Sequence, residues 1–219
     1  MRTDVDLYRS NLVDHHESQE LFRLLLKALS RPGMILRLPD WVTARTIPAL
    51  TPIIALVSHD VPFSLVGSTI DGLDEALARA TAGRLVPVAE AGFVAVLTGG
   101  PSEMAHVRVG TPERPDHGCQ VGVQLQGQLI VTSFASGVPS DSAVASITLR
   151  GPGVAESTSI GYAANIDEVE RLGSILSTRR SAPPCGFDMW LFDPHGRVVG
   201  VPRTSHVDFH AQITVKGES

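Results

Sequence analysis

Short apolar runs with strand periodicity alternate, from one end of the chain to the other, with amphipathic runs of helical spacing. "GFVAVL" (92–97), "AVASITLR" (143–150) and the pair "FDMWLF" and "RVVGV" flanking Asp193–Gly196 read as strands, the last two as a hairpin. "DHHESQELFRLLLKALSRPG" reads as a helix with both ends marked. Asp14 and Glu17 fit a capping box, with Ser18 as the other candidate cap, and Pro32-Gly33 ends the run. Leu21, Leu25, Ala28 and Leu29 share one face of it. "DGLDEALARATAG" (Asp71–Gly83) reads as a helix capped at its C-terminus by Gly83. "NIDEVERLGSILSTRR" reads as a third helix, with Asn165 at its N-cap and Arg179 and Arg180 near its negative end. "PALTPIIALVSHD" suits a buried helix, and "MILRL" and "PFSLVG" suit short strands. In Val121–Gln126, apolar residues alternate with Gly122, Gln124 and Gln126, which predicts a strand with one polar face. The chain shows no fixed-period repeat or flexible linker. The expected fold is a single α/β domain over residues 1–219, a mixed β-sheet flanked by helices, with 1–13 and 211–219 as less ordered tails.

Composition narrows the function classes. The 219 residues carry 18 basic and 23 acidic side chains, a formal charge of −5, without the basic footprint of a nucleic-acid binder. The longest apolar runs fall short of the roughly 20 residues that span a bilayer, so no membrane partner is expected. No signal sequence opens the chain, and Cys119 and Cys185 form no CxxC pair, so reduced core cysteines and a cytoplasmic location are expected. Only two lysines are present, Lys27 and Lys216. Any chemistry that needs a reactive lysine is confined to these.

Motifs that carry chemistry are sparse. In "LRGPGVAES", Gly151-Pro152-Gly153 follows a strand as a phosphate loop would. Yet no lysine follows, Pro152 lacks an amide, and Glu156 stands where a third glycine would sit. A tight turn is the favoured reading, with a weak anion nest beside Arg150 as the alternative. Neither Ser68 nor Ser136-Gly137 lies in a nucleophile-elbow motif. His206, Asp208 and His210 alternate along an extended segment that spreads them too far for one ion, and His15-His16-Glu17 suits a solvated helix start, so no metal is expected. "VPRTSHV" is the most suggestive stretch. Arg203 offers a bidentate fork for an anion, and Thr204, Ser205 and His206 add hydrogen bonds; a structural ion pair at Arg203 is the competing reading.

Five segments in order resemble one family: Ser30–Gly33, Gly110–Gly118, Leu149–Val154, Gly186–Met189 and Val201–Ser205. Together they look like the PhnH family, a subunit of the bacterial carbon–phosphorus lyase core complex. Cys119-Gln120, Arg150 and Ser205 depart from its usual residues. The resemblance implies a homodimer that works with subunits G, I and L to exchange the adenine of ATP for a phosphonate. The product is a ribose 1-phosphonate 5-triphosphate, whose C–P bond subunit J later breaks. It also implies a fold similar to PLP-dependent transferases but without the cofactor. That agrees with the lysines, since Lys27 lies on the first helix and Lys216 in a tail. Catalytic residues stay unassigned. Candidate anion or subunit contacts are Arg203, Thr204, Ser205, His206, Arg150, Gly151, Gly153 and Glu113. The alternative is a stand-alone enzyme acting on a phosphorylated or nucleotide substrate.

Overall fold

The computed structural model describes residues 13–67, 70–131, 143–179 and 183–212. Ser68, Ser136, Gly137, Arg180, Lys216 and most of both expected tails lie outside these residues.

The first helix, α1 (His15–Ser30), begins as its sequence dictates. Asp14 Oδ1 accepts from Glu17 N at 2.7 Å, and Glu17 Oε2 accepts from Asp14 N at 3.0 Å. Only two residues of "MILRL" form β1 (Leu36–Arg37); the turn closing α1 takes up Met34, whose amide donates to Arg31 O. After α2 (Asp40–Arg45), a 3-10 turn at Pro48–Leu50 runs into α3 (Thr51–Leu56), the expected buried helix in two pieces. β2 (Pro62–Val66), α4 (Leu73–Thr81), β3 (Arg84–Leu85) and β4 (Phe93–Val96) follow. The cap of α4 corrects the expectation: Ala82, at φ 56°, carries the left-handed conformation instead of Gly83. The chain reverses one residue earlier, and Gly83 N then donates to Thr81 Oγ1.

A short helix, α5 (Pro101–Met104), precedes β5 (Gln120–Gln124) and β6 (Gln128–Val131). β7 (Ala143–Arg150), β8 (Thr158–Ala164) and α6 (Ile166–Ser177) come next. Asn165 caps α6 through Glu168 N, as its sequence predicts. β9 (Asp188–Phe192) and β10 (Arg197–Val201) form the expected hairpin, and β11 (His206–Gln212) ends the described chain.

The strands form two sheets. The larger has seven strands in the order β1-β10-β9-β5-β4-β2-β3, parallel from β9 to β3 and antiparallel at β10 and β1. The smaller is antiparallel, in the order β11-β7-β8-β6. Period-two alternation divides the larger sheet between two cores. Val94, Val96, Met189, Leu191 and Val199 pack with α6 and the smaller sheet. Ala95, Leu97, Trp190, Phe192 and Val198 pack with α1, α3 and α4. The result is one α/β domain with a mixed sheet flanked by helices; the smaller sheet as a separate layer is a feature the sequence reading did not resolve.

The polar face expected for β5 is wrong. β5 is a central parallel strand, covered on both sides, and Gln124 is buried. Its small and polar residues answer to a backbone that comes close. The 3-10 turn at Pro48–Leu50 lies directly on Gly122, where a Cβ would sit 2.4 Å from Ala49 O. Gln124 Oε1 accepts from Ala49 N at 3.2 Å, satisfying an amide that water cannot reach. Gly122→Ala is expected to lower unfolding free energy by about 2 kcal/mol or more in urea titration, since backbone and not a movable side chain blocks the added methyl.

Candidate functional site

Where β10 leaves the larger sheet and β11 enters the smaller one, the chain turns through Pro202–Ser205. Ser205 N donates to Pro202 O at 2.9 Å, which closes the turn. Asp188, the first residue of β9, holds it in place. Its Oδ1 accepts from Arg203 N at 2.8 Å, and its Oδ2 accepts from Arg203 Nη2 at 2.6 Å and Nε at 3.2 Å. Gln120 Nε2 adds a further bond to Oδ2 at 3.0 Å. The last nitrogen of Arg203, Nη1, donates to Pro115 O. Burial raises the Asp188 carboxyl, but the Arg203 bonds outweigh it and hold the group below its ordinary value.

The same cluster draws the motif segments together. Gly118 ends the loop that supplies Pro115 O, and a Cβ on it would lie 2.2 Å from Gly186 O and 3.0 Å from Arg203 Nη1. On the other side, the Gly151–Gly153 segment is a turn in which Val154 N donates to Gly151 O at 3.1 Å. Gly151 lies against Thr204 and Ser205, and Gly153 lies against Ser30 and Pro32. Both glycines have positive φ, 136° and 85°. Segments far apart in sequence thus meet around one turn.

A cavity of about 230 Å³ opens beside this turn, lined by Leu176, Arg179, Pro183, Gly186, Phe187 and residues 203–207. Arg203, Thr204, Ser205 and His206 are therefore brought together, as the sequence suggested. Arg203, however, has its donors engaged by Asp188 and Pro115, the structural ion-pair reading. Arg150, Gly151, Gly153 and Glu113 do not line the cavity. Arg150 pairs with Asp208, which His206 Nε2 also approaches at 3.1 Å, and Glu113 sits exposed on its loop.

Two residues at the site escaped the sequence reading. Asp188 lies within the Gly186–Met189 segment, and its signal in the sequence is a lone carboxylate opening an apolar strand. Arg179 was read as a helix-end charge; instead it folds inward, and its Nη2 donates to Pro202 O at 2.5 Å. Burial pushes its guanidinium down to about 10, with Asp188 opposing that shift. Its guanidinium carbon lies 6.0 Å from the centre of the Phe187 ring. Ser205 Oγ is buried and has no hydrogen-bond partner among the described residues.

Other chemistries find little support in what is described. Burial pushes the Cys119 thiol up to about 12, which withholds a thiolate at neutral pH. Among the described residues, no group of three or more His, Cys, Asp or Glu is placed to hold a metal ion. No described helix is long and apolar enough to cross a membrane. Lys27 is exposed on α1, beside Arg23 and Arg37.

The family model described as bacterial phosphonate metabolism protein (PhnH) matches residues 12–208. The chain belongs to the PhnH family. A search of curated proteins finds no match. PhnH membership places the protein in bacterial phosphonate metabolism. The matched span contains all five motif segments, and with them the Asp188–Arg203 cluster.

The side chains of Arg203 and Asp188 are 16% and 13% exposed, so removing either charge strands the other in a poorly solvated place. Asp188→Asn is expected to cost roughly 3 kcal/mol at pH 7 by chemical denaturation. Because the folded carboxyl titrates below its unfolded value, its contribution is present above about pH 4 and is lost as pH falls further. The gap between wild type and variant should therefore narrow as pH falls below about 4, and a gap that does not change with acidification would contradict the assignment.

Proposed function

We propose that this protein is a subunit of the bacterial carbon–phosphorus lyase core complex. It assists the transfer of a phosphonate onto the ribose triphosphate derived from ATP, as a structural or co-catalytic component of the ribose 1-phosphonate 5-triphosphate synthase. In this reading it is a cytoplasmic homodimer that assembles with subunits G, I and J and works functionally with L. The observation that carries the proposal is the family match over residues 12–208, read with the meeting of its motif segments around one turn. The geometry is consistent with a supporting role. The strongest polar groups at the site, Arg203 and Asp188, are spent on holding backbone in place. A residue so committed positions its surroundings and leaves the transferred group to others.

Co-expression with subunits G, I and J tests the assignment. The protein should co-purify with them in fixed stoichiometry, and omitting it should reduce formation of the ribose phosphonate triphosphate. A chain that stays apart from the partners at micromolar concentration overturns the proposal. The donor-lined cavity favours a second reading, a stand-alone enzyme on a phosphorylated or nucleotide substrate. That reading requires turnover by the isolated protein.

The proposal includes no PLP cofactor. The lysine described, Lys27, sits on an exposed helix face instead of at the wall of the site. Adding PLP to the pure protein should give no aldimine absorbance, and a lysine-dependent band at micromolar PLP would reject this part.

A further inference from the structure

We propose that the outward face of α1, with the groove between it and β1, docks an acidic amphipathic helix from a different protein chain. The inference rests on the subunit role proposed above, and names the surface and the partner chemistry that role uses.

α1 presents apolar side chains to solvent on a helix that cannot rotate to hide them. Phe22 and Leu26, one turn apart, are 47% and 54% exposed, and Met34, in the turn that follows, is 39% exposed. They are three of the six large apolar side chains exposed among the described residues. The opposite face, Leu21, Leu25 and Ala28, is buried. Trp190 Nε1 donates to Leu25 O at 3.0 Å, and a Cβ on Gly200 of β10 would sit 2.4 Å from the backbone of Ala28. Pinned to β9 and β10 in this way, the helix keeps Phe22 and Leu26 outward. Exposed apolar side chains grouped on a fixed element mark a protein contact.

The charges around them say what kind of protein fits. A groove of about 390 Å³ runs beside α1, lined by Arg23, Leu24, Lys27, Leu36 and Arg37. β1 is the outermost strand of the larger sheet, so no further described strand of that sheet covers the groove. Its two leucines are half-buried and its three cations are exposed. Arg31, one turn beyond Lys27, is exposed as well. Against these four cations stand Glu20, one turn before Arg23, and Asp40, which pairs with Arg37 at 3.4 Å. Glu17 is committed to its cap and to Arg45. Cations thus outnumber free carboxylates two to one here, on a chain whose formal charge is −5. Apolar residues flanked by carboxylates complement such a surface. Phe22 and Leu26 form an i,i+4 ridge, the shape that packs into the groove of a second helix. A second copy of this chain fits less well, because a two-fold contact centred on this ridge sets the Arg23 side chains of both copies beside each other.

Recovery of subunits G, I and J through an affinity tag on this chain, after co-expression, tests the face. Leu26→Gln and Arg23→Glu should each cut recovery of at least one subunit about tenfold or more at micromolar concentration. Both positions are exposed, and Arg23→Glu gains a favourable i,i+4 partner in Lys27, so both variants should melt within about 3 °C of wild type. Leu85→Gln, at an exposed leucine on β3, should assemble as wild type. Sedimentation of each isolated variant should give the oligomeric state of the wild-type chain. A variant that instead dissociates to monomers assigns the face to a second copy and overturns the inference. Undiminished recovery of all three subunits by both variants also overturns it, and leaves the subunit role standing. A wild-type chain that recovers none of the three overturns the subunit role, and the inference with it.

Discussion

The Asp188–Arg203 pair is the constraint on which the site depends. One carboxylate accepts an amide and two guanidinium donors from a single residue, along with the Gln120 side chain. Arg203 then reaches Pro115 O. In a largely buried position such a pair contributes little through raw Coulomb attraction, because desolvation offsets it. Its value is geometric. It fixes the start of a central strand, the loop before β5 and the turn between the two sheets to one another.

A second buried network does the same for α6. Glu168 accepts from Tyr162 of β8 at 2.9 Å, from Gln126 N at 3.0 Å and from Arg171 at 2.6 Å and 2.7 Å. Arg171 goes on to Gly99 O and Gln124 O, at the ends of β4 and β5. The helix is thereby tied to the larger sheet by one residue and to the smaller sheet by another. Asp193, fully buried, adds a third tie by accepting from Leu129 N of β6 at 3.2 Å. Polar side chains, and not apolar contact alone, hold the two sheets in register. With α6 fixed, Arg179 just beyond its end is delivered to the cavity.

The elements whose signals are local were legible. α1, α6 and the β9–β10 hairpin were read from caps, apolar stripes and a turn, and the structure places them there. The β5 reading failed because alternation reports small and polar residues without saying what faces them. Solvent and a close backbone leave the same pattern, and here the backbone of Ala49 was the cause. Gly83 failed similarly, since the left-handed residue was set by where the chain had to reverse. At the site, residues 203–206 were found because they are consecutive. Arg179 and Asp188 are missed because what marks them is each other's neighbourhood: one inward-folded cation with no ion pair among the described residues, and one carboxylate consumed by Arg203.

By itself the sequence determined the class of fold, the capped starts of α1 and α6, and family membership through five ordered motifs. These are properties of short segments, set by backbone hydrogen bonding and side-chain periodicity within a few residues. Only the tertiary structure decided that there are two sheets, that β5 is covered on both faces, and that Arg203 is structural while Arg179 folds inward onto Pro202 O. Those outcomes depend on which distant groups share a small volume from which water is excluded. There, one committed partner changes what a charged side chain can do.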